Sequence, residues 1–202
     1  MFLTRVSVTG KVHGYARELP VVRALAERPL ELDRTTILTG DNGTGKSTLV
    51  EAIAIAAGAN AAGGSRNARF AAADHSCLHA SLTLTRRENP RDVFFLRGET
   101  FFSLGEYHQS LGPETLVILD EPEDGLSVFA QLELLGVLTV LVRRGAQVLM
   151  ATHSPVLLAV PGARIMSVPT LEPMPYDACE PVTATREFID DPVGTAQFLV
   201  GS

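Results

Sequence analysis

The stretch Thr35-Thr36-Ile37-Leu38-Thr39-Gly40-Asp41-Asn42-Gly43-Thr44-Gly45-Lys46-Ser47 decides the fold. Its first five residues are a β-rich run that stops at a glycine, which predicts a short buried strand. The next eight fit G-x-x-x-x-G-K-[ST] at every fixed position. The three glycines let the backbone take positive φ and turn its N–H groups toward phosphate oxygens. Beyond the loop, Ser47 to Ala57 reads as a helix, with Leu49, Ala52, Ile53 and Ala56 on one face and Gly58 as its stop. The positive end of that helix points where the loop amides point. Lys46 supplies a compact charge for the β- and γ-phosphates of a nucleotide, and the Ser47 hydroxyl suits Mg²⁺.

Two later strand ends carry matching chemistry. Leu116-Val117-Ile118-Leu119-Asp120-Glu121 is an apolar strand that ends in two acids. Its lack of alternation predicts burial on both faces, as in a parallel sheet. Beside a phosphate loop, Asp120 is placed to hold Mg²⁺ through its water shell, and Glu121 to polarise an attacking water. Met150-Ala151-Thr152-His153-Ser154-Pro155 sets a histidine just past another buried strand, Gln147 to Ala151. Carboxyl ends of neighbouring parallel strands gather on one edge, so His153 is expected near Asp120 and the γ-phosphate. His13, His75, His79 and His108 have no comparable setting.

The remaining elements complete an α/β pattern. Phe2 to Val8 alternates and reads as an edge strand. Leu82 to Thr85 and Val93 to Leu96 read as strands on either side of a turn at Pro90. Phe129 to Arg143 predicts a helix stopped by Gly145, with Arg143 and Arg144 suited to its negative end. Arg164 to Val168 is a further strand, and helical fragments follow at Thr185 to Ile189 and Val193 to Val200. Leu19 to Leu30 is ambiguous between prolines, and Ala59 to Arg69 reads as a loop. Alternating strands and helices predict a mostly parallel sheet flanked by helices, with an antiparallel β portion at the N-terminus. With 202 residues, the expectation is a single domain, 1–202.

Composition narrows the function classes. Apolar residues at 46% and charged residues at 20% exclude global disorder and a collagen-like or disulfide-rich design. A net charge of −6 argues against bulk attraction to nucleic acid or anionic membrane. Arg66 and Arg69 are the candidates for a local phosphate or nucleic-acid contact. No apolar run approaches the roughly 18 residues needed to span a bilayer, and no secretory leader is evident, so a cytoplasmic location is expected. Cys77 and Cys179 read as two free thiols. Only two lysines occur, and one of them is Lys46.

Taken together, GDNGTGKS (40–47), LVILDEPEDGLS (116–127) and ATHSP (151–155) resemble the phosphate loop, Walker B strand and switch-histidine loop of the ABC-type ATPases. The stretches VEAIAIAAGANAAGGSRNARF and RDVFFLRGETFF are similar to soluble bacterial AAA-type ATPases with an ABC-like head, related to chromosome-maintenance and recombination heads. The resemblance covers about Lys11 to Phe198. It implies ATP and Mg²⁺ as ligands, with nucleotide contacts from Asn42, Gly43, Thr44, Gly45, Lys46, Ser47 and Thr48. It further implies metal contacts from Ser47 and Asp120, and catalytic roles for Glu121, His153 and Lys46. It implies ATP-dependent homodimers, with room for an unknown protein partner and no membrane insertion. Ser127 falls at the family's D-loop, Arg97 or Glu99 at its lid position, and Tyr15 at the place of an adenine-stacking aromatic. One departure stands out. Ser103-Leu104-Gly105-Glu106 mimics the family's signature loop but follows too closely on the lid segment, so the signature segment reads as missing. ATP binding is then expected to survive, while dimer-dependent hydrolysis is expected to weaken.

Overall fold

Strand β3 (Thr35–Thr39) is buried along its whole length, because it lies inside a six-stranded sheet. The computed structural model describes residues 1–59, 77–98 and 112–201. The sheet runs in the spatial order β5 (Asp92–Arg97), β6 (Thr115–Asp120), β7 (Gln147–Ala151), β3, β8 (Arg164–Ser167) and β9 (Glu172–Pro173). Neighbours are parallel from β5 through β8, and only β9 is antiparallel. A smaller antiparallel sheet holds β2 (Leu30–Glu31), β1 (Leu3–Val8) and β4 (Leu82–Arg86), in that order. The expected mostly parallel α/β architecture with an antiparallel portion is therefore present.

Successive side chains along the large sheet alternate between two cores. Leu38, Val93, Phe95, Leu116, Ile118, Leu149 and Ala151 face one side, with α1 (Pro20–Glu27), α2 (Lys46–Ala57) and the small sheet. Ile37, Phe94, Val117, Leu119, Val148 and Met150 face the other, against Leu134, Leu138 and Leu141 of α3 (Val128–Arg144). Burial on both faces explains why β5, β6 and β7 read as unbroken apolar runs. Two further helices, α4 (Glu180–Asp190) and α5 (Pro192–Gly201), close the described chain. No helix among the described residues is long and apolar enough to cross a membrane.

Three local expectations change. Leu3–Val8 is the central strand of its sheet, pairing with β2 on one side and β4 on the other, and is not an edge. Strands β4 and β5 flank Pro90 but belong to different sheets, so no hairpin forms there. Helix α2 is buried almost all round, because it packs between the large sheet and β4. The ambiguous stretch from Leu19 resolves into α1 and β2, and most of the expected loop from Ala59 to Arg69 lies outside the described residues.

One side chain ties the two sheets together. Gln147, at the start of β7, accepts hydrogen bonds from Phe2 N (2.8 Å) and Leu3 N (2.9 Å) through Oε1. Its Nε2 donates to Leu3 O (2.7 Å) and Asp33 O (3.0 Å). Both ends of this buried amide are thus satisfied, as a buried polar group requires.

Candidate functional site

Sheet register places the candidate residues on one edge. Arg97 pairs with Asp120, Asp120 with Ala151, and Ala151 with Leu38, a level row across β5, β6, β7 and β3. Every loop that leaves this row at a carboxyl end opens on the same side. The glycine loop, the acidic pair and the histidine loop therefore converge from strands distant in sequence, and β7 brings His153 out between the other two.

The glycine loop has the backbone its residues allow. Gly40, Gly43 and Gly45 have φ of 145°, 77° and 97°. Gly40 has a second constraint, since a Cβ there would meet Val168 O at 2.0 Å. Thr44 Oγ1 donates to Asp41 O (2.8 Å), and Thr44 O accepts from Val21 N (3.2 Å), which docks α1 against the loop. Lys46 opens α2 and curls back, donating from Nζ to Gly40 O (2.7 Å) and Asp41 O (2.8 Å). It is only 4% exposed, and burial pulls its ammonium below the usual lysine range. The carboxylates of Glu121, Asp41, Asp120 and Glu123 oppose that pull. A cleft of about 180 Å³ is lined by Asn42, Gly43, Gly45, Lys46, Ser47, Thr48 and Glu121, with Leu19 at its side. Of the expected nucleotide contacts, only Thr44 is absent from this lining.

Asp120 is 7% exposed, and burial pushes its carboxyl up to about 6. A hydrogen bond with the Ser47 side chain and the charge of Arg97 work against that rise. Its Oδ2 lies 3.8 Å from Arg97 Nε, and Arg97 Nη2 donates to Glu51 Oε2 of α2 at 2.6 Å. Its Oδ1 is buried with no hydrogen-bond partner among the described residues. An unsatisfied buried carboxylate oxygen beside a serine hydroxyl is a donor set for a hard divalent cation such as Mg²⁺. Among the described residues no group of three or more His, Cys, Asp or Glu could hold a metal ion alone. Two protein oxygens suit Mg²⁺ bound largely through phosphate and water.

Glu121 follows at φ 46°, a left-handed conformation rare for a residue with a side chain. Its Oε1 lies 3.8 Å from His153 Nε2, too long for a hydrogen bond. That nitrogen is itself buried without a hydrogen-bond partner among the described residues. His153 also lines a second cleft, of about 360 Å³, with Gly40, Asp41, Asn42 and the start of α4. Asn42 borders both clefts.

Other expected residues sit elsewhere. Ser127 caps α3, its hydroxyl accepting from Ala130 N at 3.3 Å. Tyr15 is exposed and lines neither of these clefts. Arg97 is at the level of Asp120, while Glu99, Arg66, Arg69 and the segment Ser103 to Glu106 lie outside the described residues. Two participants had no sequence signal of their own. Gly98 packs so tightly that a Cβ would meet Asp124 Cβ at 2.5 Å and Glu121 O at 2.6 Å. Glu123 Oε1 accepts from His153 N (2.6 Å) and Ser154 N (3.1 Å). Only its place in an acidic run set it apart, and that says nothing of direction.

Comparison with known families agrees with this geometry. Residues 22–99 match the model of a family described as an AAA domain. Residues 99–159 match a second, described as an AAA domain and named for the AbiEii toxin of a type IV TA system. No curated protein sequence matches the chain. The two matches meet at residue 99 and between them take in the glycine loop, the acidic strand end and the histidine loop. With a P-loop fold that brings these three to one edge, the two matches indicate an AAA-type P-loop ATPase domain over residues 22–159.

Proposed function

We propose that this chain binds ATP·Mg²⁺ and hydrolyses it to ADP and phosphate, in the manner of the ABC- and chromosome-maintenance-like heads, to drive a conformational or dimerisation cycle. The observation that carries the reading is the convergence of Lys46, Ser47, Asp120, Glu121 and His153 on one sheet edge, with Asp120 Oδ1 buried and unpaired among the described residues. Lys46 and the loop amides hold the phosphates, drawing on the positive end of α2. Ser47 and Asp120 hold Mg²⁺, which when bound neutralises charge developing on the phosphate oxygens. Glu121 orients and polarises the attacking water, and His153 donates a hydrogen bond toward the γ-phosphate.

ATP affinity and phosphate release, each measured over a range of protein concentration, test this reading. Lys46→Ala should abolish nucleotide binding. Glu121→Gln should keep binding and stop release, holding ATP on the protein. Intact ATP affinity in the lysine variant, or unchanged release in the glutamate variant, would overturn the assignment. A second reading, a nucleotide-binding regulatory module with little turnover, draws on the shortness of the sequence between Glu99 and Pro113. Tight binding with no release at high protein concentration would favour it.

A further inference from the structure

Glu123 has no part in the roles above, yet it is the acid that touches the histidine loop. Its Oε1 accepts from two consecutive backbone amides, His153 N at 2.6 Å and Ser154 N at 3.1 Å. Charge-assisted bonds of this kind are about twice as strong as neutral ones. The turn that carries Glu123 is itself closed, with Asp124 N donating to Glu121 O (3.1 Å) and Leu126 N to Glu123 O (2.9 Å). Glu121 and Glu123 therefore share one hydrogen-bonded turn. Whatever fixes the histidine loop to Glu123 also fixes His153 against Glu121.

Resting on the proposed function, we infer that Glu123 is a positioning residue, its carboxylate clamping the backbone of the histidine loop so that His153 and Glu121 keep their working separation. Across the 3.8 Å between His153 Nε2 and Glu121 Oε1, a shift of about 1 Å makes or breaks a hydrogen bond. A second tether runs parallel to the clamp. Gln131 Nε2 donates to Leu126 O (3.2 Å), and Ser154 Oγ donates to Gln131 Oε1 (2.7 Å). Removing the Glu123 carboxylate therefore loosens the His153 end of the loop while the Ser154 end stays held.

The test compares Glu123→Ala and Glu123→Gln with the wild-type chain in three measurements: amide hydrogen exchange, ATP affinity and phosphate release. In the alanine variant, exchange at His153 should speed by about tenfold or more, while Ser154 N, which also donates to Thr152 Oγ1 (3.0 Å), changes less and exchange in β6 and β7 is unchanged. Maximal phosphate release should fall by about tenfold, with ATP affinity within about twofold of wild type. The glutamine variant keeps an acceptor oxygen and should recover most of both losses. Wild-type exchange at His153 in the alanine variant overturns the clamp. So does a loss of ATP affinity in step with release, which would mark a merely structural role. Failure of the proposed function reads differently: the wild-type chain itself releases no phosphate, while the exchange arm still decides whether the clamp exists.

Discussion

At the scale of single residues, the site stores unfavourable features that a ligand would relieve. Asp120 is the clearest. Its carboxyl rises from an ordinary 3.8 to about 6, mainly through burial. Between those values the folded chain holds a proton that the unfolded chain has released. Stability therefore falls as pH rises from about 4 to 6, and the loss is complete above that window. A shift of about two units corresponds to about 3 kcal/mol. Asp120→Asn should consequently make the metal-free protein more stable at pH 8, by up to about 3 kcal/mol, and flatten this part of the pH profile. Urea denaturation in the presence of a chelator measures both. The same substitution should remove Mg²⁺-dependent nucleotide binding, and in the wild type that binding should weaken as pH drops below about 6. Glu121 adds backbone strain at φ 46°, and such strain gathers at functional sites.

At the scale of elements, tight joints between strand ends set the geometry. Gly98 sits at the end of β5 where no Cβ fits against Asp124 and Glu121 O. Gly98→Ala should push the acidic turn away, lowering phosphate release by tenfold or more while ATP affinity is kept; enzyme assays paired with binding assays check this. Ser127→Ala should cost about 1 kcal/mol by removing the α3 cap, and Ser127→Asp should restore it in thermal denaturation. These elements also show what was legible beforehand. Buried parallel strands announce themselves by uninterrupted apolar runs, so β6 and β7 stood out with nearly their true ends, while β3 stood out as a β-rich run that stops at Gly40. The glycine loop was legible because positive φ demands glycine at fixed spacing. Pairing partners were not legible, because the alternation in Leu3–Val8 reports only that one face is buried. It cannot tell a central strand from an edge. Nor could Gly98 or Glu123 be found, since each acts through contacts across strands whose order no local pattern encodes.

At the scale of the whole molecule, Gln147 is the bolt between the two sheets. Its amide satisfies Phe2 N, Leu3 N, Leu3 O and Asp33 O at once. Each buried backbone group left unpaired costs on the order of 1–3 kcal/mol. Gln147→Leu, similar in size but without hydrogen bonds, should therefore destabilise by at least about 3 kcal/mol. It should also raise hydrogen exchange at Phe2 and Leu3 before it affects β6. A urea midpoint unchanged by the substitution would refute the coupling.

The central place of β3 also dictates an order of events during synthesis. Its two neighbours in the sheet are β7 and β8. The phosphate loop is complete once residue 47 has left the ribosome, yet its strand has nothing to pair with until residues 147–151 emerge. Pairing on the other side waits for residues 164–167. For roughly a hundred residues of elongation the nascent chain carries an unpaired β3 and cannot close around a nucleotide. Such long-range pairing folds slowly and is prone to aggregation while it waits. A nascent chain halted before β7 should depend on chaperones and stay blind to ATP, however complete its glycine loop.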